Sequence, residues 1–198
     1  KGGDRTHIEL PAVQRNFLKA LHEAGKRVIF VCCSGSAIAL QPETKNCEAI
    51  IQAWYPGMEG GTAVADVLYG KVCPSGKLPV TFYASSDQLG DFEDYSMEGR
   101  TYRYIRDFEP LFPFGYGLSY TTFDIGNAKL SSTTIGREGI KMEIPVTNTG
   151  NRNGAEVVQV YVRNPQDPQG PVMQLRGYKR LNVKTGETAT ANFLLTPK

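Results

Sequence analysis

The order of apolar and polar positions divides the chain near residue 120. Pro11 stands where the first turn of a helix tolerates a proline. Val13, Phe17, Leu18 and Leu21 then recur at helical spacing on one face until Gly25 stops the run. Residues 27–33 form a continuous β-prone apolar stretch, the pattern of a strand covered on both faces of a parallel sheet. Residues 49–55 repeat that pattern and end at Pro56-Gly57, and a helix is predicted over residues 62–69, closed by Gly70. Alternating helix and strand predicts an α/β layer, a partial αβα sandwich with a mostly parallel sheet.

From Ser85 to Gly117 the periodicity fades, and Tyr, Phe, Arg, Asp and Pro dominate a long ordered loop. From about Thr121 the period becomes two. Residues 141–146, 156–162, 174–183 and 188–195 read as strands, about five strands in all with Gly/Asn turns such as residues 149–154. This predicts an all-β, antiparallel immunoglobulin-like sandwich. Such a fold wants about seven strands, so the expectation is a truncated one whose remaining strands lie beyond Lys198. The expected domains are residues 1–120, including the aromatic linker, and residues 121–198.

Composition narrows the function. Across 198 residues, Lys+Arg is 22 against Asp+Glu 20, a net charge of +2. That balance gives no electrostatic case for a nucleic-acid partner or an anionic membrane. No apolar run approaches the roughly 20 residues of a membrane span, and residues 1–5 have no signal-peptide character. Cys32 and Cys33 are adjacent in a strand and should face opposite ways; with Cys47 and Cys73 they read as small hydrophobes rather than disulfide partners. His7 and His22 do not complete a zinc-ligand spacing, so no metal or other cofactor is expected.

Five blocks, in order, carry a resemblance. They are Gly3-Asp4-Arg5 with Leu10-Pro11 and Gln14; Gln52-Ala53-Trp54-Tyr55-Pro56-Gly57 running through Gly60-Gly61 to Asp66-Val67-Leu68-Tyr69-Gly70; residues 74–82, Pro-Ser-Gly-Lys-Leu-Pro-Val-Thr-Phe; residues 99–104, Gly-Arg-Thr-Tyr-Arg-Tyr; and residues 112–121, Phe-Pro-Phe-Gly-Tyr-Gly-Leu-Ser-Tyr-Thr. Together they resemble the C-terminal part of family 3 glycoside hydrolases, and the tail resembles the fibronectin type III-like domain that follows in many members. The resemblance implies a retaining, exo-acting β-glucosidase or β-xylosidase working on terminal β-linked sugars of an oligosaccharide. It also implies secretion or periplasmic residence, and an N-terminal (β/α)8 barrel partner.

Read physically, most of these blocks are structural. Their glycines and prolines make turns and close approaches. A retaining glycosidase needs a nucleophilic carboxylate and a second carboxyl as acid/base about 5 Å away. The resemblance places the nucleophilic aspartate on the barrel and the acid/base glutamate in a loop before Gly3-Asp4-Arg5. No catalytic residue is therefore assigned within the chain. Asp4 and Arg5 are the substrate-adjacent candidates, although an internal contact between them is an equal reading. Glu93 and Glu98 lie in the aromatic loop, where solvated carboxylates are the rule. Trp54, Tyr55, Tyr102 and Tyr104 could stack on a sugar ring, but packing is the better expectation.

Other classes fit less well. Ser34 follows an apolar strand but lacks the leading glycine of a nucleophile elbow, and neither histidine has a clear partner for it. No phosphate-binding glycine pattern is present. The alternative reading is a non-catalytic scaffold or carbohydrate-binding module.

Overall fold

The computed structural model describes residues 5–197. The chain divides into two compact units, one of residues up to Ala65 with Leu78–Phe114, the other of Asp66–Lys77 with Gly115 onward.

In the first unit, α1 (Ala12–Glu23) begins after Pro11, whose extended ψ makes it the N-cap. Strand β1 (Ile29–Cys32) pairs in parallel with β2 (Ala49–Gln52), from Ile29 opposite Ala49 to Cys32 opposite Gln52. The parallel arrangement agrees with the apolar runs that predicted it. Between the strands a one-turn helix, α2 (Glu43–Asn46), completes the crossover. A parallel bridge from Glu9 to Ala39 adds a further extended contact. The core is Leu10, Leu18, Val28, Cys32, Ile38, Leu40 and Phe82. Cys32 is buried and Cys33 exposed, as alternation along a strand requires.

Glu43 is fully buried in this unit, and Arg15 of α1 reaches it with Nε 3.1 Å from Oε1 while donating through Nη2 to the Ala39 carbonyl. A buried carboxylate needs such a partner, since desolvating it alone is costly. The pair ties α1 to α2. Of the four apolar residues expected on one face of α1, only Leu18 and Leu21 pack inward; Val13 and Phe17 are exposed.

Helix α3 (Gly60–Leu68) follows the Pro56-Gly57 turn, two residues from the predicted start. The expected long loop contains a single 3₁₀ turn, Ser86–Gln88, and a one-turn helix α4 (Thr101–Tyr104). Tyr102 stacks on Phe114 with centroids 4.2 Å apart, and Phe82 meets both Trp54 and Phe112 edge-on.

Among the described residues the second unit holds six strands rather than about five: β3 (Phe123–Ile125), β4 (Lys129–Leu130), β5 (Ile140–Asn148), β6 (Gly154–Val162), β7 (Gln174–Val183) and β8 (Thr188–Leu195). The first two are too short for an alternating pattern to register. β5 is antiparallel to β3, β4 and β8, and β6 to β7, with a register shift at Val160/Tyr161. The inward residues Ile144, Val146, Val158, Val160, Val183 and Ala191 form the core. An α/β region thus precedes an antiparallel β region.

Residues 66–77 are bound to this β unit. Lys77 Nζ lies 2.8 Å from Glu156 Oε1 and donates to the Gly117 carbonyl, with both side chains largely buried. Tyr120 donates to the Val67 carbonyl, Arg180 to Ser75 Oγ, and Cys73 Sγ sits 3.1 Å from Ser119 Oγ. A Cβ on Gly117 would stand 2.1 Å from the Gly76 carbonyl oxygen, so only glycine allows that approach.

Candidate functional site

In open α/β sheets, ligands gather outside the carboxyl ends of the strands. Here those ends bring together residues that the sequence singled out separately. Ser34, just past β1, donates to the Ser36 carbonyl at 2.9 Å and accepts from Gln52 Nε2 at 2.9 Å, so the exit loops of β1 and β2 are joined. Gln52 Oε1 is buried without a hydrogen-bond partner. Arg5 donates through Nη2 to Ser36 Oγ, which brings the N-terminal candidate to the same rim. Asp4, the other candidate, lies outside the described residues.

The chain leaves β2 through a constrained turn. Trp54 has φ +55°, a left-handed conformation that costs a non-glycine residue about 1–3 kcal/mol and persists where packing enforces it. Its ring packs edge-on against Phe82 at 6.0 Å. Tyr55 is 79% exposed, yet its ring edge covers Gly35: a Cβ there would stand 2.7 Å from Tyr55 Cε2. The rim therefore presents a guanidinium, a hydroxyl and an exposed aromatic edge. Such a surface can hold a polyhydroxylated ligand by hydrogen bonds and stacking.

Proton transfer is another matter. Glu9 accepts from Ser86 Oγ at 2.6 Å and from its N–H at 2.7 Å, and these two bonds hold its carboxyl below the usual value. Asp94 is likewise lowered, first by the Ser96 N–H and then by its hydroxyl. Both are shifted away from what a general acid near neutral pH requires. Glu43 is committed to Arg15. Glu93 and Glu98 are exposed on the loop. Burial raises the thiols of Cys32 and Cys47, which opposes thiolate formation. Among the described residues no cluster of three His, Cys, Asp or Glu side chains is suited to a metal. No helix among them is long and apolar enough to cross a membrane.

Of the four aromatics weighed for stacking, Trp54 and Tyr102 are engaged in ring packing, and Arg103 lies over Tyr104 at 5.6 Å. Tyr55 alone of these is mostly exposed. Thr101, at φ +57°, is a second strained position, where the loop turns into α4. Neither the Gln52–Ser34 link nor the two strained residues has a signature in the sequence, because each depends on a neighbour distant along the chain.

Comparison with known proteins gives matches over nearly the whole chain. The model of the glycosyl hydrolase family 3 C-terminal domain matches residues 1–120, and that of a fibronectin type III-like domain matches residues 156–198. A xylan 1,4-β-xylosidase of Xylanibacter ruminicola is 66% identical over 99% of this chain and 22% of its own length. A periplasmic β-glucosidase of Salmonella typhimurium is 40% identical over 98% of the chain and 27% of its own. Among solved structures, a β-glucosidase of Erythrobacter marinus superposes with a TM-score of 0.86 at 37% identity, covering all of this chain and 26% of that one. The chain thus spans about a quarter of the length of these relatives.

Proposed function

Because the chain belongs to glycosyl hydrolase family 3, we propose that it is the C-terminal part of a retaining, exo-acting β-glycosidase that removes terminal xylose or glucose from β-linked oligosaccharides. In this reading residues 1–120 are the end of the α/β domain with its aromatic linker, and residues 121–198 belong to the fibronectin type III-like domain. The observation that carries the reading is the 66% identity to a β-xylosidase, sustained across 99% of the chain. Secretion or periplasmic residence accords with the periplasmic β-glucosidase among the relatives.

The mechanism divides the labour. A carboxylate outside these residues, on an N-terminal barrel, attacks the anomeric carbon while a carboxylic acid protonates the departing glycosidic oxygen. The same group, now a carboxylate, then deprotonates the water that releases the sugar with retained configuration. The contribution of this chain is positional: Arg5, with Asp4 beside it in sequence, borders the substrate, and the Ser34–Gln52 link fixes the loop that receives Arg5.

The test compares the full-length enzyme with residues 1–198 alone on aryl β-xyloside and aryl β-glucoside. The expected result is turnover by the full enzyme and only background from the chain, since groups that act as a unit do not work in part. Lack of turnover of both glycosides by the full enzyme would overturn the substrate class. Turnover by the chain alone that vanishes in Glu98→Gln would move the acid into the aromatic loop.

A further inference from the structure

The crossover from β1 to α2, residues 33–42, is fastened at points that converge on the segment carrying Arg5. Near its start, Ser36 Oγ accepts from Arg5 Nη2. Farther on, the Ala39 N–H donates to the Ile8 carbonyl at 2.9 Å, and Ala39 bridges Glu9 in parallel. Arg15 of α1 then uses two nitrogens of its guanidinium: Nη2 donates to the Ala39 carbonyl at 3.3 Å and Nε to Glu43 Oε1 at 3.1 Å. Residues 5–9 are thus attached to the crossover at Arg5 and at Ile8, and the second attachment is made to a residue that Arg15 holds. Three residues of chain, at most about 11 Å, separate Ile8 from Arg5, so a shift at Ala39 is felt at the guanidinium. The pair itself is a weak source of stability. Glu43 is fully buried, yet its Oε2 has no hydrogen-bond partner. Burying such a pair returns little net free energy, and apolar residues of similar volume do as well. What the guanidinium fork supplies is direction, because two donors in one rigid plane fix two acceptors together.

We infer, on the reading of Arg5 as a border of the substrate, that Arg15 and Glu43 are positioning residues: beyond joining α1 to α2, they set the crossover at Ala39 and, through Ala39 and Ile8, the place of Arg5 at the rim. A guanidinium that meets sugar hydroxyls works only where its donors point at them, and displacing a binding group by about 1 Å can cost up to a hundredfold in rate. The opposite side of the same segment is restrained independently. Ser86 Oγ accepts from the Ile8 N–H at 3.0 Å, and the Glu9 carboxylate accepts from the Ser86 N–H and hydroxyl. Ile8 and Glu9 therefore lie between two anchors, one on the aromatic loop and one on the crossover, and only the crossover also holds the Arg5 side chain through Ser36.

The experiment is a double-mutant cycle in the full-length enzyme, read as kcat/KM on aryl β-xyloside and aryl β-glucoside. The paired variant Arg15→Met with Glu43→Leu keeps volume without charge, so its melting temperature is expected to hold. Its kcat/KM is expected to fall by about ten- to a hundredfold, and that of Arg5→Ala by a similar factor. Added to Arg5→Ala, the paired change is expected to cost less than about twofold more, because both remove one function. Arg15→Lys, which keeps the charge and loses the fork, carries the same expectation if the paired variant does not fold. Equal losses on the two backgrounds would overturn the inference, since the pair would then act independently of Arg5. So would an unchanged kcat/KM in the paired variant. Wild-type kcat/KM in Arg5→Ala would refute the reading of Arg5 and the inference with it. Absence of turnover by the unmodified enzyme would refute the substrate class alone. The link is then read by hydrogen exchange, where the Ala39 amide is expected to exchange at least about tenfold faster in the paired variant. An unchanged rate there would overturn it.

Discussion

Asn148, at the end of β5, offers a direct measure of what one buried polar residue contributes to the β unit. Its side chain is fully buried and every hydrogen-bonding position is used. Oδ1 accepts from Thr121 Oγ1 at 2.8 Å and from the Gly150 N–H at 3.1 Å; Nδ2 donates to the carbonyls of Arg152 at 2.7 Å and Val183 at 3.0 Å. The residue thus ties the entry to β3, the β5–β6 turn and the end of β7 at one point. Asn148→Ala strands all four partners. Gly150 and Arg152 are accessible enough to recruit water, whereas the bonds to Thr121 and Val183 are buried. Two stranded buried groups at about 1–3 kcal/mol each give an expected loss of roughly 2–6 kcal/mol. Asn148→Asp should do no better, since it sets a carboxylate oxygen against two carbonyls. The assay is native-state hydrogen exchange of the β5 and β8 amides, which reads local stability directly. A loss below about 1 kcal/mol in Asn148→Ala would show that the network contributes little beyond its geometry.

Two further perturbations test other parts of the same reasoning. Lys77→Met leaves Glu156 largely buried without its cation; because both side chains keep some exposure, the expected destabilisation of the β unit is about 1–3 kcal/mol, less than for a fully buried pair, and it should be read as faster exchange in β6. Ser86→Ala removes the principal cause of the lowered Glu9 carboxyl. A depressed carboxyl contributes stability that is complete above its unfolded value, near 4.3, and is lost as pH falls through the folded one. Acid titration of the first unit, followed by Trp54 fluorescence, should therefore show less dependence on pH below that value in the variant; an unchanged acid limb would discount the Ser86 bonds.

How much was legible in the sequence follows from the range of each interaction. Strands β1, β2 and β5–β8 were readable because their burial repeats along the chain, and β7 and β8 match their predicted bounds. β3 and β4 escaped notice, being three and two residues long. The attachment of residues 66–77 to the β unit was invisible for a different reason. Lys77 and Glu156 are 79 positions apart, and neither carries a local pattern that names the other. The reading of α1 failed in an instructive way: periodicity located Val13, Phe17, Leu18 and Leu21 on one broad face, but periodicity cannot say how much of that face the unit itself covers.

The site shows the same division between residue and relation. Arg5 was found by resemblance, and Trp54 and Tyr55 as aromatics at the end of a predicted strand, weighed for stacking on a sugar. What joins them is the crossed arrangement at the strand ends, where Gln52 reaches Ser34 and Arg5 reaches Ser36. That arrangement has a chemical consequence. The hydrogen-bonded carboxyls of Glu9 and Asp94 are held low, and Glu43 is spent on Arg15. A general acid for glycoside cleavage must instead keep its proton near neutral pH, which burial or a neighbouring carboxylate accomplishes. Hydrogen bonding to Ser86 or Ser96 does the opposite. The described carboxylates whose surroundings the fold specifies are therefore specified for stability. On the proposed function, the rim at the ends of β1 and β2 would orient a sugar, and the proton-transfer step would fall to carboxylates in the rest of the proposed enzyme.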